Sequence, residues 1–548
     1  MSNSFNRYLH FVHIREKLLV HPAKEIRMEI RSTVEAHLRT RFQTGTYDRP
    51  EDCNAIFNYL FEFHEASLNR LLPNILTADW IGLIIFQHEE SGEISSDYKQ
   101  NKLTEEEAAY WRENGAHFRQ TLDYLLEKIA ALKEIDIVET NAELQAADFE
   151  RILVYAEKCV GFSSISNLTY MMIPDATRAI IYPAGELRFL EHTINPIIRA
   201  QLDAQLIQNN YEVSVRNQYL KQNESPFNFA YQCSMLDEPF RQTFGVSYEQ
   251  FQKIIAVVGL AAIQPITEPR KAPMMFKDDF YHKAIALSVL PAGAVRIILD
   301  NLILDVEKPR QIWDARQPNR INRQPFLQFK SRDRIVIMWS PKKVVEYITQ
   351  VESELMFKRT PAFWDSPDIR KAIETISNHT GRWFEKCVIP QLARLGFIGR
   401  ELGIQAFRSY PGVTLDCGQI DYLGFHPSSS CLVLLEFKMI ETGFEARGAR
   451  QVRDKFLSGD RAYVPTLKRK IKWVKDNLQT VRQLFEREYK ISLASDTTCL
   501  CTSFITFYPT LLKISYKEIP CVSLVQFIED WTAMKQWPYA EGKFEIPL

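Results

Sequence analysis

Asp421, Glu436 and Lys438 are the residues of this 548-residue chain whose types and spacing could do chemistry. They lie in the stretch Gly418-Gln-Ile-Asp421-Tyr-Leu-Gly-Phe-His-Pro-Ser-Ser-Ser-Cys-Leu-Val-Leu-Leu-Glu436-Phe-Lys438. Residues two apart on a strand share a face, so Glu436 and Lys438 project together if Cys431–Lys438 is extended. An acid near the start of a preceding strand, Asp421, can sit across from them. Charges at the end of an otherwise apolar strand are costly unless they are paired or bind metal. Two neighbouring carboxylates repel, and a hard divalent cation relieves that repulsion; Mg²⁺ prefers oxygen ligands and keeps several waters. Such a cation polarises a phosphoryl oxygen and acidifies a bound water. A lysine beside it could orient the attacking water or neutralise charge developing on a phosphate. These are the parts needed for phosphodiester hydrolysis. The competing reading is a plain ion pair between Glu436 and Lys438 at a strand end.

The elements that must position these groups read as a mixed α/β domain. A helix is expected over Asp368–Leu395, with Ile369, Ile373, Ile376, Phe384, Val388 and Leu392 on one stripe and a kink or split at Pro390. Strands are expected at Ile404–Tyr410, Gly418–Gly424 and Cys431–Lys438, the last two joined by a turn at His426–Ser430. A long helical tract from Val464 to Tyr489 carries an apolar seam of Leu467, Ile471, Val474, Leu478, Val481 and Phe485. A buried-type strand, Leu500–Tyr508, and a short final helix follow. The order is α-β-β-β-α-β.

With G-x-I-D followed by E-x-K after a helix, this region resembles the PD-(D/E)xK nuclease superfamily. The resemblance covers residues 365–530, and the motif proline before the first acid is replaced by Ile420. It implies a restriction-endonuclease-like fold, with an αβββαβ core and a central mixed sheet flanked by helices. It further implies Asp421 and Glu436 as metal ligands, the backbone carbonyl of Phe437 as another, and Lys438 as the catalytic lysine. Glu385 would be the auxiliary acid of the first helix; a solvated helix acid is the bland reading. Gln451 matches a glutamine of some branches only loosely. The cofactor implied is Mg²⁺, with Mn²⁺ as a substitute. The activity implied is a nuclease, DNA favoured over RNA, of the kind used in bacterial genome defence or restriction. A catalytically inactive nucleic-acid-binding or assembly protein and an RNA-processing nuclease are the alternatives.

Charge distribution bears on the partner. The net charge of −1 conceals 30 basic and 42 acidic residues over 1–307, against 37 and 26 over 308–548. A basic half suits a polyanion. Residues 447–475 hold ten basic groups and two acids. Arg447, Arg450, Arg453, Lys455, Lys468, Lys472 and Lys475 are the candidate nucleic-acid contacts, the last three at i, i+4 and i+7 of one helix face. A solvated face is the competing reading. A second basic tract, 308–343, interleaves Trp313, Phe326, Phe329 and Trp339. It suits either a nucleic-acid surface or a connector with a buried strand at Ile335–Trp339.

Three domains are expected. Residues 1–307 form an acidic, mainly helical region for recognition, regulation or self-association. Residues 308–360 form a basic connector with a strand and a helix, and 361–548 the nuclease-like domain. Thr104 and Glu107 form a capping box ahead of the helix in Asn101–Ile135. Phosphate-cradling G-x-x-x-x-G-K-[ST] and G-x-G-x-x-G patterns are absent, as are G-x-S-x-G and H-E-x-x-H. His10 and His13 would share a helix face but lack a third ligand. Nine scattered cysteines and a charged N-terminus point to reduced thiols and the cytoplasm. The longest apolar run, Ile254–Ile263, is half of a membrane span.

Overall fold

The computed structural model describes residues 4–137, 142–167, 178–189, 225–260, 272–304, 320–403, 405–407, 413–440, 446–493, 499–508 and 516–546, with a few single positions between them. The chain divides into two compact units. One comprises Met1–Leu206 and Phe229–Ile376, the other Ile207–Asn228 and Ser377–Leu548. The division falls at 376/377, so that residues 320–360 lie within the range of the first unit.

The first unit is mainly helical. A hairpin of β1 (Phe11–Ile14) and β2 (Lys17–Val20) precedes α1 (Lys24–Arg41). His13 is therefore on a strand, not on a helix face shared with His10. Arg15 takes φ 53° in the turn, and Ile14, Leu19 and Val20 are buried, a pattern that suits a hairpin. A short strand, β3 (Gly45–Tyr47), leads into α2 (Pro50–Leu71), α3 (Ala78–Lys99), α4 (Glu105–Leu132) and α5 (Ala142–Asn167). The capping box of α4 is present: Thr104 Oγ1 accepts from the Glu107 N–H, and the Glu107 carboxylate accepts from the Thr104 N–H at 2.9 Å. Trp80 of α3 stacks on Phe149 of α5 at 4.7 Å in the shared core. Strands β4 (Ala179–Ile181) and β5 (Leu187–Phe189) complete a three-stranded sheet with β3.

Helices α6 (Phe229–Phe244) and α7 (Tyr248–Leu260) follow, then β6 (Met274–Phe276), α8 (Lys277–Ser288), α9 (Ala292–Leu302) and β7 (Ile303–Leu304). Helices α8 and α9 are separate because Val289 turns left-handed (φ 57°) and Pro291 cannot continue the first. Strands β8 (Phe326–Ser331) and β9 (Arg334–Trp339) close a sheet in the order β6-β9-β8-β7, and α10 (Pro341–Glu354) comes next. Phe326, Phe329 and Trp339 are all buried. The basic groups around them meet acids of the same unit: Arg320 to Glu127 at 3.3 Å, Arg323 to Glu354 at 2.5 Å, Lys343 to Asp123 at 2.7 Å. Phe326, Phe329 and Trp339 are thus packed in a core rather than offered for base stacking, while Lys330, Arg332 and Arg334 are exposed; Trp313 lies outside the described residues.

The second unit is α/β. Helix α11 (Pro367–Arg394), whose residues from Ser377 belong to this unit, runs unbroken through Pro390. Pro390 forfeits one backbone bond to the preceding turn, yet the helix continues to Arg394. Gly396, at φ +92°, reverses the chain, and β10 (Ile398–Leu402) starts at once. The strand expected at Ile404–Tyr410 is therefore earlier, and residues 405–407 form a turn, closed by Ala406 N–H to the Gly403 carbonyl at 2.8 Å. Strands β11 (Ile420–His426) and β12 (Cys431–Lys438) follow, then α12 (Ala446–Leu457), α13 (Tyr463–Asp476) and α14 (Leu478–Tyr489). The expected helix Val464–Tyr489 is broken at Asn477, which leaves helical geometry (φ −115°, ψ 26°) and caps the Trp473 carbonyl through its side chain at 2.9 Å. Strands β13 (Cys499–Thr506) and β14 (Cys521–Ser523), helix α15 (Leu524–Met534) and β15 (Lys543–Glu545) end the described chain.

The sheet order is β10-β11-β12-β13-β14, with β15 on β13. The first three strands are antiparallel and β12-β13-β14 parallel, so the sheet is mixed and the element order is α-β-β-β-α-β before the terminal pieces. One face of β11 and β12 (Leu423, Phe425, Leu432, Leu434) shares a core with Leu467, Ile471 and Val474 of α13. Among the described residues no helix is long and apolar enough to cross a membrane. All nine cysteines are free thiols.

Candidate functional site

Gly418 enters β11 at φ +84°, a left-handed conformation that favours glycine, which accounts for the glycine of G-x-I-D. The antiparallel register pairs Tyr422 with Leu435 and Leu423 with Leu434. Continuing it by one residue sets Asp421 opposite Glu436, on the face that also holds Leu423 and Leu434. Both carboxylates are buried, Asp421 at 7% exposure and Glu436 at 4%. Lys438, two residues beyond Glu436 on the same face, reaches both: its Nζ is 2.8 Å from Glu436 Oε1 and 3.3 Å from Asp421 Oδ2. The Phe437 N–H donates to Asp421 Oδ2 at 2.9 Å. The expectation for Phe437 concerned its carbonyl oxygen; the group seen at Asp421 is its N–H.

A fourth residue completes the cluster. Lys470, on α13, is 4% exposed. Its Nζ lies 2.6 Å from Glu436 Oε2 and 3.8 Å from Asp421 Oδ1. Lys470 was not among the expected site residues. Its signal was its position in the apolar seam, three residues after Leu467 and four before Val474, where a lysine needs a buried partner. All four carboxylate oxygens thus face an ammonium.

Burial works against the charge on Lys438, but Glu436 and Asp421 outweigh it and hold the ammonium above its ordinary pKa. Its Nζ also lies 5.2 Å from the Tyr463 ring centroid, at the start of α13. Glu385 of α11 is half-buried and belongs to the same electrostatic neighbourhood. Burial raises its carboxyl, Asp421 adds to the rise, and Lys438 opposes it. Gln451 is exposed on α12, and no described hydrogen bond joins it to either acid. His426, expected in the turn, is the last residue of β11 and pairs with Cys431; its Nδ1 is 2.8 Å from Ser429 Oγ.

The expected nucleic-acid contacts are unequal. Lys455 and Lys472 are exposed, Arg453 is half-buried, and the side chains of Arg447 and Arg450 lie outside the described residues. Lys468 is exposed but ion-paired with Glu518 at 2.8 Å. Lys475 is half-buried, its Nζ 5.6 Å from the Phe544 ring centroid. The face is less unopposed than its local sequence suggests, because Glu518 arrives from fifty residues away.

The donor set admits a small hard cation. Among the described residues no three His, Cys, Asp or Glu side chains gather as a ligand group. Mg²⁺, however, is often held by one or two carboxylates, with waters and substrate oxygens filling the rest. Asp421 and Glu436 converge to that extent, and the Lys470 ammonium already stands as a cation between Oε2 and Oδ1. No family model, curated protein or solved structure matches the chain.

Proposed function

We propose that the second unit is a metal-dependent nuclease domain of the PD-(D/E)xK, restriction-endonuclease-like kind, acting on phosphodiester bonds of nucleic acid with DNA favoured over RNA. One observation carries the reading: Asp421 and Glu436 face each other on adjacent strands with Lys438 bridging them at 3.3 and 2.8 Å. The α-β-β-β-α-β order and the exposed Lys455 and Lys472 support it. A role in bacterial genome defence or restriction follows from the resemblance alone.

In this reading Asp421 and Glu436 would hold Mg²⁺ or Mn²⁺, which would supply Lewis-acid polarisation of a phosphoryl oxygen and a more acidic water. Lys438 orients that water and offsets negative charge on the phosphate, a role suited to an amine kept protonated by two neighbouring acids. Glu385 adds negative potential from α11, and exposed lysines hold the backbone of the substrate. A second reading, a nucleic-acid-binding fold without catalysis, has one observation in its favour: two ammoniums already neutralise the two acids.

Plasmid, linear DNA and RNA incubated with Mg²⁺, Mn²⁺ or EDTA separate the two. Cleavage should require the cation and fall on the order of 10²–10³-fold in both Glu436→Gln and Lys438→Met. Cleavage surviving both substitutions overturns the site. Cation-dependent binding without cleavage by the wild type supports the second reading.

A further inference from the structure

We infer that Lys470 is a tethered counter-ion of the acid pair, standing where Asp421 and Glu436 converge and giving way when a divalent cation binds. The inference rests on the proposal that this site takes such a cation.

A lysine on the buried face of a helix, between Leu467 and Val474, loses its hydration and is tolerated only against a partner. Lys470 meets that condition through Glu436 Oε2 at 2.6 Å, with Asp421 Oδ1 at 3.8 Å. The other two oxygens are served separately. Lys438 donates to Glu436 Oε1 and Asp421 Oδ2, and the Phe437 N–H also donates to Oδ2. The cluster therefore holds two negative and two positive charges. Adding a divalent ion without loss would leave a net charge of +2 in a buried place, and withdrawal of one ammonium from its acids halves that excess.

Lys470 is the one placed to withdraw. Among the described hydrogen bonds, the oxygens it faces accept from no backbone N–H, so an incoming ion competes there with one amine and nothing else. Lys438 hydrogen-bonds to both acids and lies over the Tyr463 ring, whereas Lys470 is within hydrogen-bond distance of Glu436 alone, Asp421 Oδ1 being 3.8 Å away. Lys470 also sits on the helix that presents Lys468 and Lys472 to solvent, so its release involves the element proposed to contact substrate. The acid pair thus stays neutralised without metal, at the expense of metal affinity.

The test uses the full chain and Mn²⁺ alone, read by calorimetry and by electron paramagnetic resonance of the free ion. Lys470→Met should bind Mn²⁺ at least tenfold more tightly than the wild type, and Lys470→Arg no more tightly. In the wild type, amine labelling followed by mass spectrometry should find Lys470 protected in EDTA and several-fold more reactive in Mn²⁺. This second readout needs no variant to fold. Equal affinity of wild type and Lys470→Met, or labelling indifferent to Mn²⁺, overturns the inference. If the wild type binds Mn²⁺ and Asp421→Asn abolishes that binding, such a result leaves the metal site standing and removes only the role of Lys470. If neither wild type nor Lys470→Met binds Mn²⁺, both fail.

Discussion

His64 of α2 is 2% exposed, stacked on Phe162 at 5.7 Å, and its Nδ1 has no hydrogen-bond partner among the described residues. Burial, with Lys158 adding, pushes its pKa down to about 3. A depressed histidine contributes stability that is complete above the unfolded value near 6.5 and is lost as pH falls towards the folded value. At roughly 1.4 kcal/mol per pH unit, about 2 kcal/mol should be gone by pH 5. His64→Phe keeps the ring and removes the titration, so its urea midpoint should move less between pH 7.5 and 5.0 than that of the wild type. Equal movement in the two proteins would show that other groups carry the acid sensitivity. Sequence reading did not single out His64, since its environment is assembled from α5, about a hundred residues away. The same limit explains the site. Asp421, Glu436 and Lys438 could be placed because they share one hairpin, whose alternation puts them on one face. Lys470 is brought in by helix packing, which the local spacing of charges did not disclose.

At the scale of elements, Gly399 of β10 faces Gly424 of β11 in the sheet register. A Cβ on Gly399 would fall 2.3 Å from the Gly424 Cα and 2.3 Å from the Leu423 carbonyl oxygen, both backbone atoms of the strand that carries Asp421. The neighbour cannot yield by turning a side chain, so β10 must separate from β11. Gly399→Val should therefore destabilise the second unit by about 2–4 kcal/mol, measured by denaturant unfolding. It should also disturb the acid pair, whereas Gly403→Ala, whose Cβ meets nothing within 4 Å, should be close to neutral. Strands β11 and β12, the turn between them and the order α-β-β-β-α-β could be read from apolar runs and turn residues. Three features of this unit could not. Gly396 starts β10 early, Asn477 interrupts one apolar seam into two helices, and Pro390 stays inside a helix. In each case a single residue's backbone geometry or position decides what periodicity alone leaves open.

At the scale of the whole molecule, opposite charges on the two halves are a weaker guide than their pairing. Arg320, Arg323 and Lys343 count towards the basic half, yet each is committed to an acid within the first unit. Lys343 also belongs to a network in which Asp123 and Glu346 face Arg119 and His88. In the same tract Lys330 and Arg332 are exposed with no ion pair described, and residues 308–319 lie outside the described residues. The second unit retains fewer uncommitted cations than its composition suggests, and they differ in worth. Lys472 is exposed with no ion pair described, while Lys468 shares its ammonium with Glu518. If α13 follows a nucleic-acid backbone, removing one lysine–phosphate pair should reduce the slope of log K against log salt by about one. Lys472→Glu should lower that slope by at least that amount and weaken binding across sequences. Lys468→Gln should change it less, because Glu518 already offsets the charge that is removed. Fluorescence-anisotropy titrations of a labelled duplex from low to physiological salt measure both slopes. A slope unchanged in Lys472→Glu would move the binding face away from α13 while leaving the acid pair as it is.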